Sequence, residues 1–347
     1  MSSSLAEYCA DGPKLRRKAV ALLSGGLDST LAVKTVLEQG IDIMALNFFT
    51  PFCRCNRRSG CANEARRVAN ELKIPIKIMS LGEEYVEVVK NPKHGYGSNM
   101  NPCIDCRILM FRVAKRFMSD VGASFIVTGE VLGQRPMSQN LPAMKLVEYE
   151  AGLEGLVLRP LSAKLLSPTI PEKEGWISRE RLYDVSGRSR KAQMSLADTL
   201  NMKDYPCPAG GCLLTDPQFA KRMRDLLEHT DPTINDIELL KVGRYFRLSP
   251  NCYAVVGRNE RENQRLLQLA RTHDLHFSVE EFMGPDMIVR GQSSDRIIEL
   301  AAGIVARYSD APKGSTVKVC YRSAQNPESR WIYAHPMTDE QLQPLRI

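Results

Sequence analysis

The sequence predicts an α/β protein, a doubly wound and mostly parallel sheet followed by a smaller α+β C-terminal domain. Three observations predict it. Apolar runs of strand length alternate with stretches of helical spacing across the first half, the βαβα rhythm that builds parallel sheets. A Ser/Gly-rich turn, Leu23-Ser24-Gly25-Gly26-Leu27-Asp28-Ser29-Thr30, joins the first strand to the first helix. Beyond Thr230-Asp231-Pro232-Thr233 the rhythm lapses, and short strands surround one helix.

Each element follows in order. Ala19–Leu23 reads as the first strand, with a helix through Leu37, and Ile41–Phe48 as the second. Ala62–Leu72 is a helix, with Ala65, Val68, Ala69 and Leu72 on one face, and Ile74–Met79 is the third strand. Ile108–Val121 reads as a helix and Ser124–Gly129 as the fourth strand. Gly129, Gly133 and Pro136 break the pattern, and a Pro/Gly-rich segment runs from Arg159 to Gly175. Arg179–Val185 and Ser189–Leu200 read as helices before the loop Tyr205–Gly211. In the tail, Tyr245–Leu248 and Tyr253–Val256 are strands and Glu260–Arg271 a helix. The expected division is an extension over 1–17, a nucleotide-binding domain over 18–178, a helical segment over 179–230 and an α+β domain over 231–347.

With 347 residues, 43% of them hydrophobic and 25% charged, the chain has room for two cores. No apolar run is long enough to span a bilayer, and Met1–Glu7 lacks the basic and apolar regions of a secretory signal, so the expectation is a cytoplasmic protein with no membrane partner. A net charge of +7 suits a polyanionic partner. Arg179, Arg181, Arg188, Arg190 and Lys191 concentrate that charge and read either as a solvated face or as a nucleic-acid surface.

The turn after the first strand has the makings of an anion site. Gly25 and Gly26 let backbone approach a phosphate, helix N–H groups point at it, and Ser24, Ser29 and Thr30 add hydroxyls. The lysine of a Walker A loop is missing, and Asp28 suits a phosphate cradle only with a bridging Mg²⁺. Leu46, Asn47 and Phe48 end the second strand where an adenine would lie, and Thr128, Gly129 and Glu130 end the fourth, facing the nucleotide. Gln134, Arg135 and Gln139 could grip phosphate or substrate, with Arg159 and Lys164 as further cations for a leaving pyrophosphate.

Ten cysteines in a reducing compartment point to metal or sulfur chemistry. Asn101-Pro102-Cys103-Ile104-Asp105-Cys106 places a CxxC just before a helix, where thiol pKa values are lowered. Cys212 follows a Gly pair, with Cys207 the alternative third ligand. Three thiolates leave an open position on zinc or on one iron of a [4Fe–4S] cluster, and four would close the site. Cys53, Cys55 and Cys61 could bind a second metal, relay sulfur or stay free, and Cys9, Cys252 and Cys320 read as ordinary thiols.

Ser24–Thr30 resembles the SGGxDS loop of the PP-loop ATP pyrophosphatases. With the Asn101–Cys106 and Thr128–Glu130 motifs, the chain resembles the tRNA thiolation enzymes of that class, the 2-thiouridylases and 4-thiouridine synthases. The likeness covers about residues 18–225 and is strong at the motifs. It implies a HUP-like sheet, ATP and Mg²⁺ as cofactors, tRNA as partner, and Asp28, Cys106 and Cys212 as catalytic residues. Cys103 stands where those enzymes usually carry an acidic residue, which leans toward the three-cysteine, iron–sulfur-dependent enzymes. Sulfur would come from sulfide, a cysteine desulfurase or a carrier. Gly243–Leu248 and Gly257-Arg258-Asn259-Glu260 look like the RNA-binding domain of NFACT-type proteins. The other readings are a PP-loop enzyme acting on a small molecule, such as a zinc-bearing nitrile synthase or a cofactor sulfur transferase, and an RNA-holding protein without catalysis. Oligomeric state is not legible, a homodimer being one option.

Overall fold

The computed structural model describes residues 17–54, 61–200, 202, 211–312, 314–323 and 328–347. The chain forms two compact units. One runs from the first described residue to Leu81 and from Pro102 to Gly211; the other combines Gly82–Asn101 with Cys212–Ile347.

In the first unit, β1 (Lys18–Leu22), β2 (Asp42–Phe49), β3 (Ile76–Ser80), β4 (Phe125–Thr128) and β5 (Val157–Leu158) pair in parallel, in the order β3-β2-β1-β4-β5. Successive β1 residues serve opposite cores, as the strand period requires. Ala19 and Ala21 pack with Leu31, Val36 and Val68, while Val20 packs with Ile108, Phe111 and Ile126. Both faces are therefore covered by helices, and the strands are apolar throughout. The winding reverses between β1 and β4, which opens a crevice at their carboxyl ends.

The second unit is an antiparallel sheet of β6 (Arg244–Ser249), β7 (Cys252–Val256), β8 (Leu275–Val279), β9 (Met287–Gly291), β10 (Val317–Ser323) and β11 (Arg330–Ala334), in the order β11-β10-β8-β9-β7-β6. Helix Asp295–Arg307 buries Ile297, Ala301, Ile304 and Val305 against one face. On the other face Arg290 is buried and bonded to Asp236 and Asp274. The segment Gly82–Asn101 belongs to this unit: Lys90 pairs with Asp231, Asn99 Nδ2 donates to the Thr215 carbonyl at 2.8 Å, and Met100 N to that of Leu214 at 3.0 Å.

Three sequence expectations are corrected. Arg179–Val185 is not a helix; only the 3₁₀ turn Arg179–Arg181 forms, because Arg179 is tied to Glu172 and Val185 N donates to the Leu161 carbonyl. The helix expected from Ile108 begins at Cys103, so the cysteine pair lies within its first turn and not ahead of it. Helices Glu83–Lys90 and Leu141–Ala151 and strand β5 lie where none was read. No helix among the described residues is long and apolar enough to cross a membrane.

Candidate active site

The crevice at β1 and β4 is built around the Ser/Gly turn. Helix Leu27–Leu37 has Gly26 as its N-cap with no side-chain cap, so its leading N–H groups are left for another acceptor. Ser29 Oγ donates to the Gly26 carbonyl at 2.9 Å and Thr30 Oγ1 to the same oxygen at 3.0 Å, which fixes the turn. Ser24 Oγ accepts from Gly26 N at 3.3 Å and lies 3.1 Å from Ser29 Oγ. Gly25 has φ +80°, and a Cβ there would stand 2.7 Å from Ala65 N. Gly129 has an ordinary φ, yet its Cβ would fall 2.5 Å from Ser29 Cα. The end of β4 thus touches the first turn of the helix, leaving the loop no slack.

Polar groups converge on Asp28. Gln134 Nε2 donates to its Oδ2 at 3.1 Å, and Arg190 Nη2 stands 3.9 Å from the same oxygen. Asp28 Oδ1 is buried with no hydrogen-bond partner among the described residues. A carboxylate oxygen left in that state is costly, and a hard divalent cation would satisfy it, so the donor fits Mg²⁺. Arg135 is held by burial and by the nearby Arg107 below the usual guanidinium pKa, while Cys103, Asp28 and Glu130 oppose that shift. One guanidinium is therefore within electrostatic reach of both Asp28 and Cys103. Glu130 is buried and bonded to Arg159 Nε at 3.0 Å, with Arg107 Nε at 3.4 Å. Arg159 also pairs with Glu148, so its Nε and Nη1 are taken by carboxylates, while its Nη2 is buried with no partner among the described residues. Lys164 Nζ is engaged with the Glu180 carbonyl at 2.9 Å. Gln139 is buried, its Oε1 unpartnered among the described residues.

Asn47 clips the loop from below, its Nδ2 donating to the Leu23 carbonyl at 2.8 Å. Leu46 is fully buried in the core and offers a nucleotide no side-chain surface, whereas Phe48 is half-buried and Thr128 buried at the end of β4. Sequence reasoning missed Arg107, and it read Arg190 as one of a group of cations, a solvated face or a nucleic-acid surface, without placing it beside Asp28. Arg107 was findable, since i and i+4 place it on the helix face of Cys103.

Cys103 and Cys106 are half-buried on the first turn of helix Cys103–Asp120, and Cys106 N donates to the Pro102 carbonyl at 2.8 Å. Burial pushes the Cys103 thiol up, against Arg135 and Arg107, so the lowered value expected at a helix start is not met there. In the second unit Cys212 caps the 3₁₀ turn Leu213–Thr215, its carbonyl accepting from Thr215 Oγ1 at 2.7 Å. Thiols suit zinc or iron, but among the described residues no three His, Cys, Asp or Glu side chains are grouped as a metal site. Cys9, Cys55, Cys207 and the side chain of Cys61 lie outside the described residues. The tail motif is largely internal. Phe246 is buried, Arg247 binds Asp225 at 2.6 Å, Arg244 stacks on Tyr308 at 4.5 Å, and Arg258 pairs with Glu262.

The chain carries two recognisable domains. Residues 15–164 match the family described as thiamine biosynthesis protein (ThiI), and residues 243–346 match the NFACT protein RNA binding domain. Among curated relatives, the "Probable tRNA sulfurtransferase" of Staphylococcus aureus (strain Newman) is 32% identical over 148 residues, 42% of this chain and 34% of that one. The chain thus spans about a third of the length of the curated relatives it matches. Among solved structures, a 4-thiouridine synthetase–RNA complex with bound ATP aligns at 22% identity over 65% of this chain and 52% of that one, with a TM-score of 0.37. The U34-tRNA thiolase NcsA from Methanococcus maripaludis, with its [4Fe–4S] cluster, aligns at 18% identity over 64% and 70%, with a TM-score of 0.33. At those scores the structural likenesses carry no weight beside the sequence matches.

Proposed function

We propose that the chain is an ATP-dependent tRNA sulfurtransferase that adenylates a uridine carbonyl and exchanges its oxygen for sulfur. The observation that carries this reading is the uncapped helix start at Gly26 with Gln134 and Arg190 converging on Asp28, whose Oδ1 is buried and unpartnered among the described residues. The matched domains and the sulfurtransferase relatives support it.

A carbonyl oxygen is a poor leaving group. In this reading it attacks the α-phosphorus of ATP lying on the loop Ser24–Thr30, and pyrophosphate departs. Helix N–H groups hold the phosphates, Asp28 orients Mg²⁺, and Arg135 and Arg190 face the charge that develops on the leaving oxygens. A sulfur nucleophile then adds to the activated carbon, and AMP leaves with the former carbonyl oxygen. Sulfide gives the thiocarbonyl directly on losing its proton. A persulfide on Cys212 instead leaves a Cys212–S–S–C adduct whose S–S bond a thiol reductant then splits, freeing the thiouridine and the Cys212 thiol and leaving the reductant as its disulfide. Cys103 and Cys106 would supply two thiolates to a [4Fe–4S] cluster, which when bound would supply iron for sulfur chemistry; among the described residues no third ligand is grouped with them.

The test is mass spectrometry of tRNA nucleosides from a deletion strain complemented with the wild type or with Cys106→Ala. One thiolated nucleoside should vanish in the deletion, return with the wild type and stay absent with Cys106→Ala. An unchanged profile in the deletion would sink the tRNA reading in favour of a small-molecule substrate.

A further inference from the structure

The arginines and aromatics of Gly243–Leu248 are largely engaged inside the second unit, so RNA contacts must be sought elsewhere on it. The sheet offers one bare face. Trp331 lies opposite Cys320 and Tyr333 opposite Lys318, while Arg322 lies opposite His276. Strand alternation therefore sets Trp331, Tyr333, Lys318 and Arg322 on one side. The intervening Val317, Val319, Ile332 and Phe277 go to the core beneath helix Asp295–Arg307. Toward β7 and β9 the same outer face is occupied: Arg290 is buried and Tyr253 OH donates to Asp236 at 2.9 Å. On β8, β10 and β11 it stays open among the described residues, with Trp331 51% and Tyr333 69% exposed.

We propose that this open face is a stacking platform for unpaired RNA bases, with Trp331 and Tyr333 as its two rings. The inference rests on the reading of the chain as an RNA-acting protein. Residues two apart on a strand are separated by about 6.8 Å, so Trp331 and Tyr333 are neighbouring aromatic side chains on the same face. The Trp331 ring is held before any ligand arrives: its Nε1 donates to Glu280 Oε1 at 2.6 Å, and Lys318 Nζ sits 5.3 Å from the ring centroid. Glu280, a carboxylate on this face, is itself engaged by Lys318 at 3.0 Å, which blunts its repulsion of phosphate. Arg322 is exposed beside the rings. Aromatic surface together with cationic side chains is the composition that binds single strands, whereas duplex RNA hides its base faces. That charge complementarity favours RNA over a second copy of the chain pairing along the β11 edge.

The experiment uses the full chain with a ten-nucleotide oligouridine, an RNA hairpin and tRNA. Of the chain's two tryptophans, Trp176 packs in the first unit, so a signal lost in Trp331→Phe belongs to Trp331. Oligouridine should quench that fluorescence and the hairpin stem should not. Trp331→Ala and Tyr333→Ala should each weaken oligouridine and tRNA binding by about 5- to 100-fold, and Trp331→Phe should recover most of it. ATP turnover without tRNA should not change, since both side chains are exposed and belong to the second unit, whereas the phosphate loop belongs to the first. Unaltered RNA affinity in the double alanine variant would overturn the platform and leave the sulfurtransferase reading standing. Failure of the wild type to bind any RNA would overturn both. Loss of a dimer in Trp331→Ala, with RNA binding intact, would assign the face to self-association.

Discussion

Gly129→Ala tests the crevice directly. A Cβ at that position would lie 2.5 Å from both Cα and N of Ser29, against a comfortable limit of 3.4 Å, so the end of β4 and the helix start must part by roughly 0.9 Å. Neither atom belongs to a flexible side chain, and Gly129 needs no positive φ, so the penalty is purely steric. Overpacking of this kind costs about 1–3 kcal/mol, or a fall in Tm of about 2–12 °C for a unit of this size. The catalytic effect should be larger. A displacement near 1 Å of groups that position a reacting phosphate can cost about 100-fold, equivalent to ~2.7 kcal/mol of barrier. The assay is release of AMP and pyrophosphate from ATP in the presence of tRNA, paired with thermal unfolding. Gly122→Ala serves as control: its φ is +64° with nothing within 4 Å, so it should lose stability but keep its turnover. A Gly129→Ala protein with wild-type turnover would refute the claim that this contact sets the loop.

Two further outcomes are expected. Arg159→Met should lower stability by up to about 3–5 kcal/mol by leaving buried Glu130 with Arg107 alone, at 3.4 Å, and Glu130→Gln in the same chain should restore part of that in urea unfolding; a loss below 1 kcal/mol would contradict the bracing role. Burial alone would raise the Asp236 pKa, but hydrogen bonds from Thr233, Arg290 and Tyr253 outweigh it and hold the carboxyl well below the ordinary range. A depressed carboxyl stabilises the fold fully above its unfolded value of about 3.9, and that contribution fades as pH falls toward the folded value. Asp236→Asn should therefore destabilise the second unit at pH 7 and flatten its acid dependence below about pH 4; parallel pH profiles for the two proteins would rule this out.

The parallel sheet was legible because its strands are buried on both faces and read as unbroken apolar runs, and the phosphate loop because glycines and hydroxyls have few other uses at a strand-to-helix turn. What escaped the sequence was set by partners distant along it. Strand β5 is two residues long and exists only by pairing with Ile126 and Val127. Arg159 looked like a free cation until Glu130 and Glu148 closed on it. Helix Glu83–Lys90, in the second unit, hides in a segment whose period was not read, and its Tyr85, Val86 and Val89 are buried. Cys103 shows local and tertiary effects in conflict: the helix start favours a thiolate, and burial opposes it.

The path of the chain through Gly82–Asn101 bears on how the protein is made. A ribosome that has delivered residue 211 has supplied everything the first unit needs, and that unit can close around its sheet. The early segment cannot settle at that point, because the groups that bind Lys90, Asn99 and Met100 lie at Asp231, Thr215 and Leu214. It must wait, tethered at both ends to a folded body, for partners that lie more than a hundred residues after it in the chain. Pro102 and the cysteine-bearing helix begin where that tether re-enters. Cutting the gene at residue 211 would therefore strand an unsatisfied loop beside the thiols, and neither unit can be produced intact from one uninterrupted stretch of sequence.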